Sequence, residues 1–333
     1  MRNMIRRGAA VFLTALVLTG SLTGCGILKN TKVVLTTGLS GDQLFKVGKS
    51  VCTLPEAMIY VMDYKQQYEN AYGVEMWEHD FGGVTLEEYV KDTIVAQLAS
   101  MKAITLLAKE HEVTLDSSEK EKVSQAAEEY YQALTDEQKK YMKIEKSDVE
   151  DLFAAHVLSG KVYKEITKDV NTEVSDDDAR IVTIQQIRLD SRENAEAVKA
   201  RLDEGKDFGT VAAAYNKDSQ TTVTLRRGEK EQAYEEAAFS LENDQISDVI
   251  ETTDGYYILK CVNHFDREAT EANKVTLVEK RRDQKFSEAY EALMADTPSE
   301  FNKHLWNKVH FSDYSGEAAP NFMTIYTAYF GDN

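Results

Sequence analysis

Residues 180–189 read Arg180-Ile181-Val182-Thr183-Ile184-Gln185-Gln186-Ile187-Arg188-Leu189, β-branched and alternating. This is strand chemistry, and it breaks a long helical pattern. Upstream, Leu44 to Cys52 alternates enough for a short strand or an extended segment. Thr53-Leu54-Pro55-Glu56 then opens a helix, with Thr as N-cap and Pro and Glu in the first turn, running to about Tyr72. Thr85 with Glu88 three residues on is a capping box. The helix behind it reaches about Glu112 with Val90, Ile94, Leu98, Met101, Ile104 and Ala108 on one apolar face. Further helices are predicted over 117–134, 136–142 and 147–170, and the polar stretch 171–178 reads as a boundary.

Downstream of the strand the pattern is mixed. Residues 191–204 read as a helix closed by Gly205. Residues 208–215 are a second helix, 221–225 a strand and 233–241 a third helix. Residues 249–252 and 256–262 read as a hairpin turning at Asp254-Gly255. The order is β-α-α-β-α-β-β. Residues 269–295 then form a long charged helix, a further helix reaches Asn307, and 311–333 read as an irregular tail. The fold class is α+β.

Charge and leader narrow the functional classes. The chain of 333 residues has 39 Lys+Arg against 57 Asp+Glu, a formal charge of -18. That is wrong for gripping nucleic acid, which needs a basic surface. Arg2, Arg6 and Arg7 precede the apolar run Ala9 to Leu18, and Leu22-Thr23-Gly24-Cys25 follows. This is the order of a bacterial lipoprotein signal, with Cys25 lipidated as the mature N-terminus; the plainer alternative is an ordinary signal peptide cut near Gly24. Without residues 1–25 the balance is 36 basic against 57 acidic residues, or -21. Residues 26–43 read as a tether and the protein as extracytoplasmic. Cys52 and Cys261 can pair in an exported protein or pack as small apolar groups.

The mixed segment resembles the parvulin (PpiC) family of peptidyl-prolyl isomerases over about 179–266. Lys206-Asp207-Phe208 follows Gly205 as in the family's G-x-D-F step. Tyr215-Asn216-Lys217-Asp218 resembles its Y-S-x-D stretch. Tyr234-Glu235-Glu236-Ala237-Ala238-Phe239-Ser240-Leu241 resembles F-E-x-A-A-F-x-L, and Gly255-Tyr256-Tyr257-Ile258-Leu259-Lys260 the closing G-Y-H-I-I-K. A lipoprotein leader, a helical lobe and an inserted parvulin-like domain together resemble the PrsA/SurA group of extracytoplasmic foldases. That resemblance implies one mostly helical, chaperone-like lobe, built from 44–175 and completed by 267–310.

Prolyl isomerisation breaks no covalent bond; the barrier of roughly 18–20 kcal/mol is amide resonance. It is lowered by holding proline in an apolar pocket and favouring the twisted amide. The resemblance places Gln186 and Tyr257 at the family's two histidine positions and Asp218 at the acidic or cysteine position facing the peptide bond. It places Tyr234 and Phe239 at the pocket aromatics, and Lys230 where an apolar residue is usual. Gln and Tyr hydrogen-bond but lack the imidazole donor–acceptor pair. Read without the resemblance, Asp218 is a turn residue, Tyr234 and Phe239 are core, and Tyr257 is a hairpin residue.

The six histidines lack metal-ligand spacing, there is no phosphate-binding glycine loop, and no cofactor is implied. The implied partners are unfolded or nascent exported polypeptides, and a membrane through the N-terminal lipid. Tyr60, Tyr64, Tyr68 and Trp77 are candidate client contacts, but 60, 64 and 68 step by four along one helix face, which favours reading them as core. The functional readings are an isomerase with chaperone activity, a non-catalytic chaperone with a degenerate parvulin domain, and a solute-binding or structural lipoprotein. A helical first half speaks against a solute binder built of two α/β lobes.

Overall fold

The computed structural model describes residues 33–35, 38–39 and 41–331. The leader, Cys25 and most of the stretch 26–43 lie outside the described residues. The chain divides into two compact units. One comprises the described residues up to Asp169 and those from Asp283 on; the other is Val170–Arg282.

The first unit is helical with a small sheet. Helix α1 (Leu54–Tyr72) starts at its capping box: Thr53 Oγ1 accepts from Glu56 N, and the Glu56 carboxylate accepts from Thr53 N at 2.8 Å. Helices α2 (Leu86–Glu110), α3 (Ser117–Ala133), α4 (Asp136–Met142) and α5 (Lys146–Thr167) follow. Their apolar faces meet in a core that includes Ile59, Ile94, Leu98, Tyr130 and Phe153. The sheet runs β1 (Val33–Leu35), β8 (Ser299–Phe301), β2 (Gln43–Val47), β3 (Ser50–Thr53), with β1 parallel to β8 and the other pairs antiparallel. Gly48 turns the β2–β3 hairpin at φ +55°, and a Cβ there would stand 3.1 Å from Thr297 Cγ2. A side chain at this position is therefore both strained and crowded.

Three sequence expectations need correction here. Val33–Leu35, read as tether, is a strand, because β8 offers it a free edge. Residues 299–301, read as helix, are strand β8; they pair with β1 and β2 on either side, which a helix cannot do. Only Lys303–Trp306 (α11) is helical there. The tail, read as irregular, carries α12 (Phe322–Phe330), capped by Asn321 and ended by Gly331, with Phe322, Ile325 and Tyr326 buried. Lys91 donates to Val309 O at 2.6 Å and Gln138 to Glu317 O at 2.9 Å, so buried polar groups of α2 and α4 fix the tail. Tyr60 and Trp77 are core: Tyr60 bonds His156, and Trp77 packs edge-on against Phe311 at 4.2 Å.

The second unit follows the predicted order. Its antiparallel sheet runs β5 (Thr222–Leu225), β4 (Val182–Leu189), β7 (Gly255–Asn263), β6 (Ile250–Thr252). Ile187, Leu189 and Ile258 pack with α7 (Arg192–Asp203) and α8 (Phe208–Tyr215). Ile184, Leu259 and Cys261 pack on the opposite face with α9 (Gln232–Ser240). The Asp176-Asp177-Asp178 run forms the one-turn α6 (Asp176–Ala179), capped by Ser175. Residues 267–310, expected to complete the helical lobe throughout, do so only from Asp283 on: helix α10 (Arg267–Asp296) contributes its first half to this unit, where Thr270 Oγ1 accepts from Ile181 N and Asn273 donates to Ala179 O. Cys52 and Cys261 are both free, buried thiols.

Candidate functional site in the sheet-and-helix unit

Register decides which side chains meet. Gln186 pairs with Leu259 and Arg188 with Tyr257, so Gln186 and Tyr257 are diagonal neighbours on the sheet face covered by α9. Tyr234, in the first turns of α9, comes down between them. Its hydroxyl donates to Gln186 Oε1 at 2.6 Å, and its ring meets Tyr257 edge-on at 5.1 Å. Gln186 Nε2 donates to Asp218 Oδ2 at 2.9 Å and to Gln220 O at 3.0 Å. Tyr257 turns its hydroxyl towards the hairpin and donates to Asp254 Oδ2 at 2.9 Å.

Asp218 is positioned by the loop after α8. Asn216 Oδ1 accepts from Asp218 N at 3.0 Å and from Arg188 N at 2.9 Å, while Lys217 N bonds Arg188 O and Gln186 N bonds Thr221 O. The loop is thus zipped along β4 and carries its carboxylate beside Gln186. This is the Asx-turn chemistry of Asn and Asp.

Burial raises the Tyr234 hydroxyl pKa well above its ordinary value, followed by the fields of Tyr257, Asp218 and Asp254. Burial likewise raises Tyr257, followed by its bond to Asp254. The Thr252 hydroxyl, ahead of Tyr257, holds the exposed Asp254 carboxyl below its usual range. Both tyrosines therefore keep their protons across the neutral range and act as donors. Tyr234 donating fixes the Gln186 amide: its oxygen accepts and both its hydrogens are spent on Asp218 and Gln220. Replacing Tyr234 with Phe should keep the ring contact and strand Gln186 Oε1 in a buried place. The expected cost is about 1–3 kcal/mol, read as faster hydrogen exchange of the β4 amides.

The structure brings Gln186, Asp218, Tyr234 and Tyr257 together. Lys230 is exposed, with its ammonium 5.6 Å from the centroid of the Tyr234 ring, within cation–π range. Phe239 is buried on the same sheet face but makes none of the network's bonds. The guanidiniums of Arg180 and Arg227 lie over its ring at 5.4 and 4.5 Å, and Arg227 is held by Asp177. Sequence reasoning missed Asp254, read only as a turn residue. Its signal was the turn itself, which sets an acid three residues before Tyr257.

The unit thus runs β4–α7–α8–β5–α9–β6–β7, with its polar residues meeting under the third helix. Residues 178–263 match the rotamase family described as the PPIC-type PPIase domain. Over most of its length the chain is similar to proteins called foldase protein PrsA. That of Caldanaerobacter subterraneus is 27% identical over 265 residues, covering 77% of this chain and 82% of that one. That of Clostridium acetobutylicum is 25% identical over 291 residues, covering 77% and 84%. The crystal structure of a peptidylprolyl isomerase (PrsA) from Bacillus cereus aligns over 87% of this chain and all of that one, at 14% identity and a TM-score of 0.36.

Proposed function

We propose that this chain is an extracytoplasmic folding factor, tethered by lipid at Cys25, that binds unfolded exported polypeptides. Its PPIC-type domain serves as a peptide-binding module with little or no isomerase turnover. Similarity to PrsA foldases across 77% of the chain supports the folding role. Among the described residues no helix is long and apolar enough to cross a membrane.

One observation carries the reading of the domain. The Gln186 amide, which the resemblance assigns to a family histidine position, has both hydrogens and its oxygen committed to Asp218, Gln220 and Tyr234. It cannot offer a donor to a twisting prolyl amide without breaking a buried bond, which costs about 1–3 kcal/mol. Lys230, which is exposed, would then face the peptide, with the buried Tyr234 and Tyr257, bonded to Gln186 and Asp254, and with Asp218 forming the wall behind it. The test is prolyl exchange on a short Xaa-Pro peptide with the purified chain and its Asp218→Ala variant, beside suppression of client aggregation. The expected result is a rate within roughly twofold of the uncatalysed one, against the factors of ten that each 1.36 kcal/mol of catalysis brings, with aggregation suppressed. A faster rate that falls in Asp218→Ala would make the domain an active isomerase.

A further inference from the structure

Among the described residues, the large apolar side chains left exposed are Tyr72, Phe81, Val84, Tyr89, Val262 and Val275. The first four lie in one stretch, from the end of α1 to the first turns of α2. Clustered exposed apolar surface marks interaction sites, whereas scattered single residues do not. Tyr72 continues a ladder of rings, 6.1 Å from Tyr68, which is itself 5.7 Å from the buried Trp77. Tyr89 stands exposed in the first turns of α2, close enough that its charge, with that of Tyr72, adds to the raising of the Tyr68 hydroxyl by burial.

Phe81 is held outward by a built turn rather than left on a slack loop. Phe81 N bonds Val84 O at 3.0 Å, Leu86 N bonds His79 O at 3.1 Å, and Asp80 and Thr85 form a β-bridge. The turn needs Gly82 and Gly83, at φ +89° and +103°. The His79 ring braces Phe81 at 4.7 Å. An aromatic fixed in this way loses little entropy on binding.

The surrounding charge is of one sign. Between Lys65 and Lys91 there is no Lys or Arg, while Glu69, Glu75, Glu78, Asp80, Glu87 and Glu88 are all acidic. Lys65 and Lys91 are buried: Lys65 pairs with Glu69 and Lys91 bonds Val309 O. Glu69 and Glu87 are occupied too, by Trp77 and by His310 with Phe311. Glu75, Glu78 and Asp80 stand exposed in the same stretch, Asp80 with one oxygen accepting from Gly83 N in the turn.

We propose that Tyr72, Phe81, Val84 and Tyr89, with the carboxylates of Glu75, Glu78 and Asp80, form a docking surface for extended segments of unfolded chain in which Lys or Arg alternates with apolar residues. Apolar side chains cover the rings, and the cations meet the acids and the aromatic faces. This rests on the folding-factor reading and names the kind of segment it selects.

The test uses the full chain and a fluorescein-labelled peptide alternating Lys with Leu and Phe, beside its twin with Glu for Lys. Binding is read by anisotropy at low and high salt. The Lys peptide should bind at least roughly tenfold tighter than its twin, and more weakly in salt, since these acids are exposed. Phe81→Ser with Tyr89→Ser should weaken it about tenfold, and Glu75→Gln, Glu78→Gln and Asp80→Asn together should remove most of the salt dependence. These positions are exposed, and unchanged circular dichroism and urea midpoints verify folding. Equal binding of both peptides, or binding unchanged by Phe81→Ser with Tyr89→Ser, overturns the proposal. So does a dimer that these substitutions dissociate while peptide binding persists, which would assign the patch to a second copy. If the variants match the parent while both suppress client aggregation, the patch fails and the folding-factor reading stands. A parent that binds no unfolded chain sinks the reading itself.

Discussion

Phe322→Ala should lower the stability of the helical unit by about 3–5 kcal/mol, the range for emptying a buried aromatic site. Phe322 is 2% exposed and lies in α12, in the segment that reads as an irregular tail. Its ring stacks on Phe153 at 4.1 Å and 14°, meets Tyr130 edge-on at 6.0 Å, and touches His156 at 5.3 Å. Those partners come from α3 and α5, so one side chain from the end of the chain closes a gap between two helices laid down far earlier. The measurement is urea unfolding followed by tryptophan fluorescence. Both tryptophans, Trp77 and Trp306, are buried in this unit, so the signal reports it alone. Ala328→Ser, on the exposed side of α12, should move the midpoint by less than about 0.5 kcal/mol. If Phe322→Ala moves it no further than Ala328→Ser, α12 does not belong to the folded lobe.

The helices were legible because their start signals are local. Thr53 with Glu56, and Thr85 with Glu88, satisfy orphan amides within four residues of chain. The sheet-and-helix unit was legible because alternation in residues 180–189 and the turn at Asp254-Gly255 are likewise local. What escaped depends on distant partners. Ser299-Glu300-Phe301 carries no strand signal of its own and becomes a strand because β1 and β2 stand ready on both sides. The tail was misread for another reason: Phe322, Ile325 and Tyr326 have helical spacing, but the loop of small and polar residues before them hid it. At the candidate site, resemblance singled out Gln186, Asp218, Tyr234 and Tyr257, and the fold brings them together. It did not give the direction of each bond. That Tyr257 turns away to Asp254, and that Gln186 is bonded at both ends, follow from side-chain geometry that no spacing rule encodes.

The second large effect is on pH. Asp63 on α1 is buried, its carboxylate facing Phe322 N at 3.4 and 3.3 Å, and burial pushes its pKa up to about 8 against the lowering pull of that N–H. Tyr60 and Tyr64 on its own helix and Tyr130 on α3 feel its charge, and all three are raised chiefly by burial. His156 on α5 is pushed down to about 4 by burial, so it is neutral near pH 7, and its Nε2 shares a hydrogen bond of 2.9 Å with the Tyr60 hydroxyl. A raised acid gives stability that is full below its unfolded pKa and lost as pH rises through the folded one. A lowered histidine gives stability that is present above its unfolded pKa and lost as pH falls through the folded one. Each slope is about 1.4 kcal/mol per pH unit. From about pH 4 to 6.5 the two oppose and cancel; from 6.5 to 8 Asp63 acts alone and removes roughly 2 kcal/mol. Asp63→Asn should therefore abolish the fall above pH 6.5 and uncover the histidine's rise below it. His156→Gln should extend the fall across the whole window, to roughly 5 kcal/mol. Urea midpoints by tryptophan fluorescence at pH 5, 6.5 and 8, taken as differences from the parent, decide it. Parallel curves for parent and Asp63→Asn would mean that Asp63 ionises normally in the fold. The contact between α1 and α12 would then have to be wet enough to hold a charge.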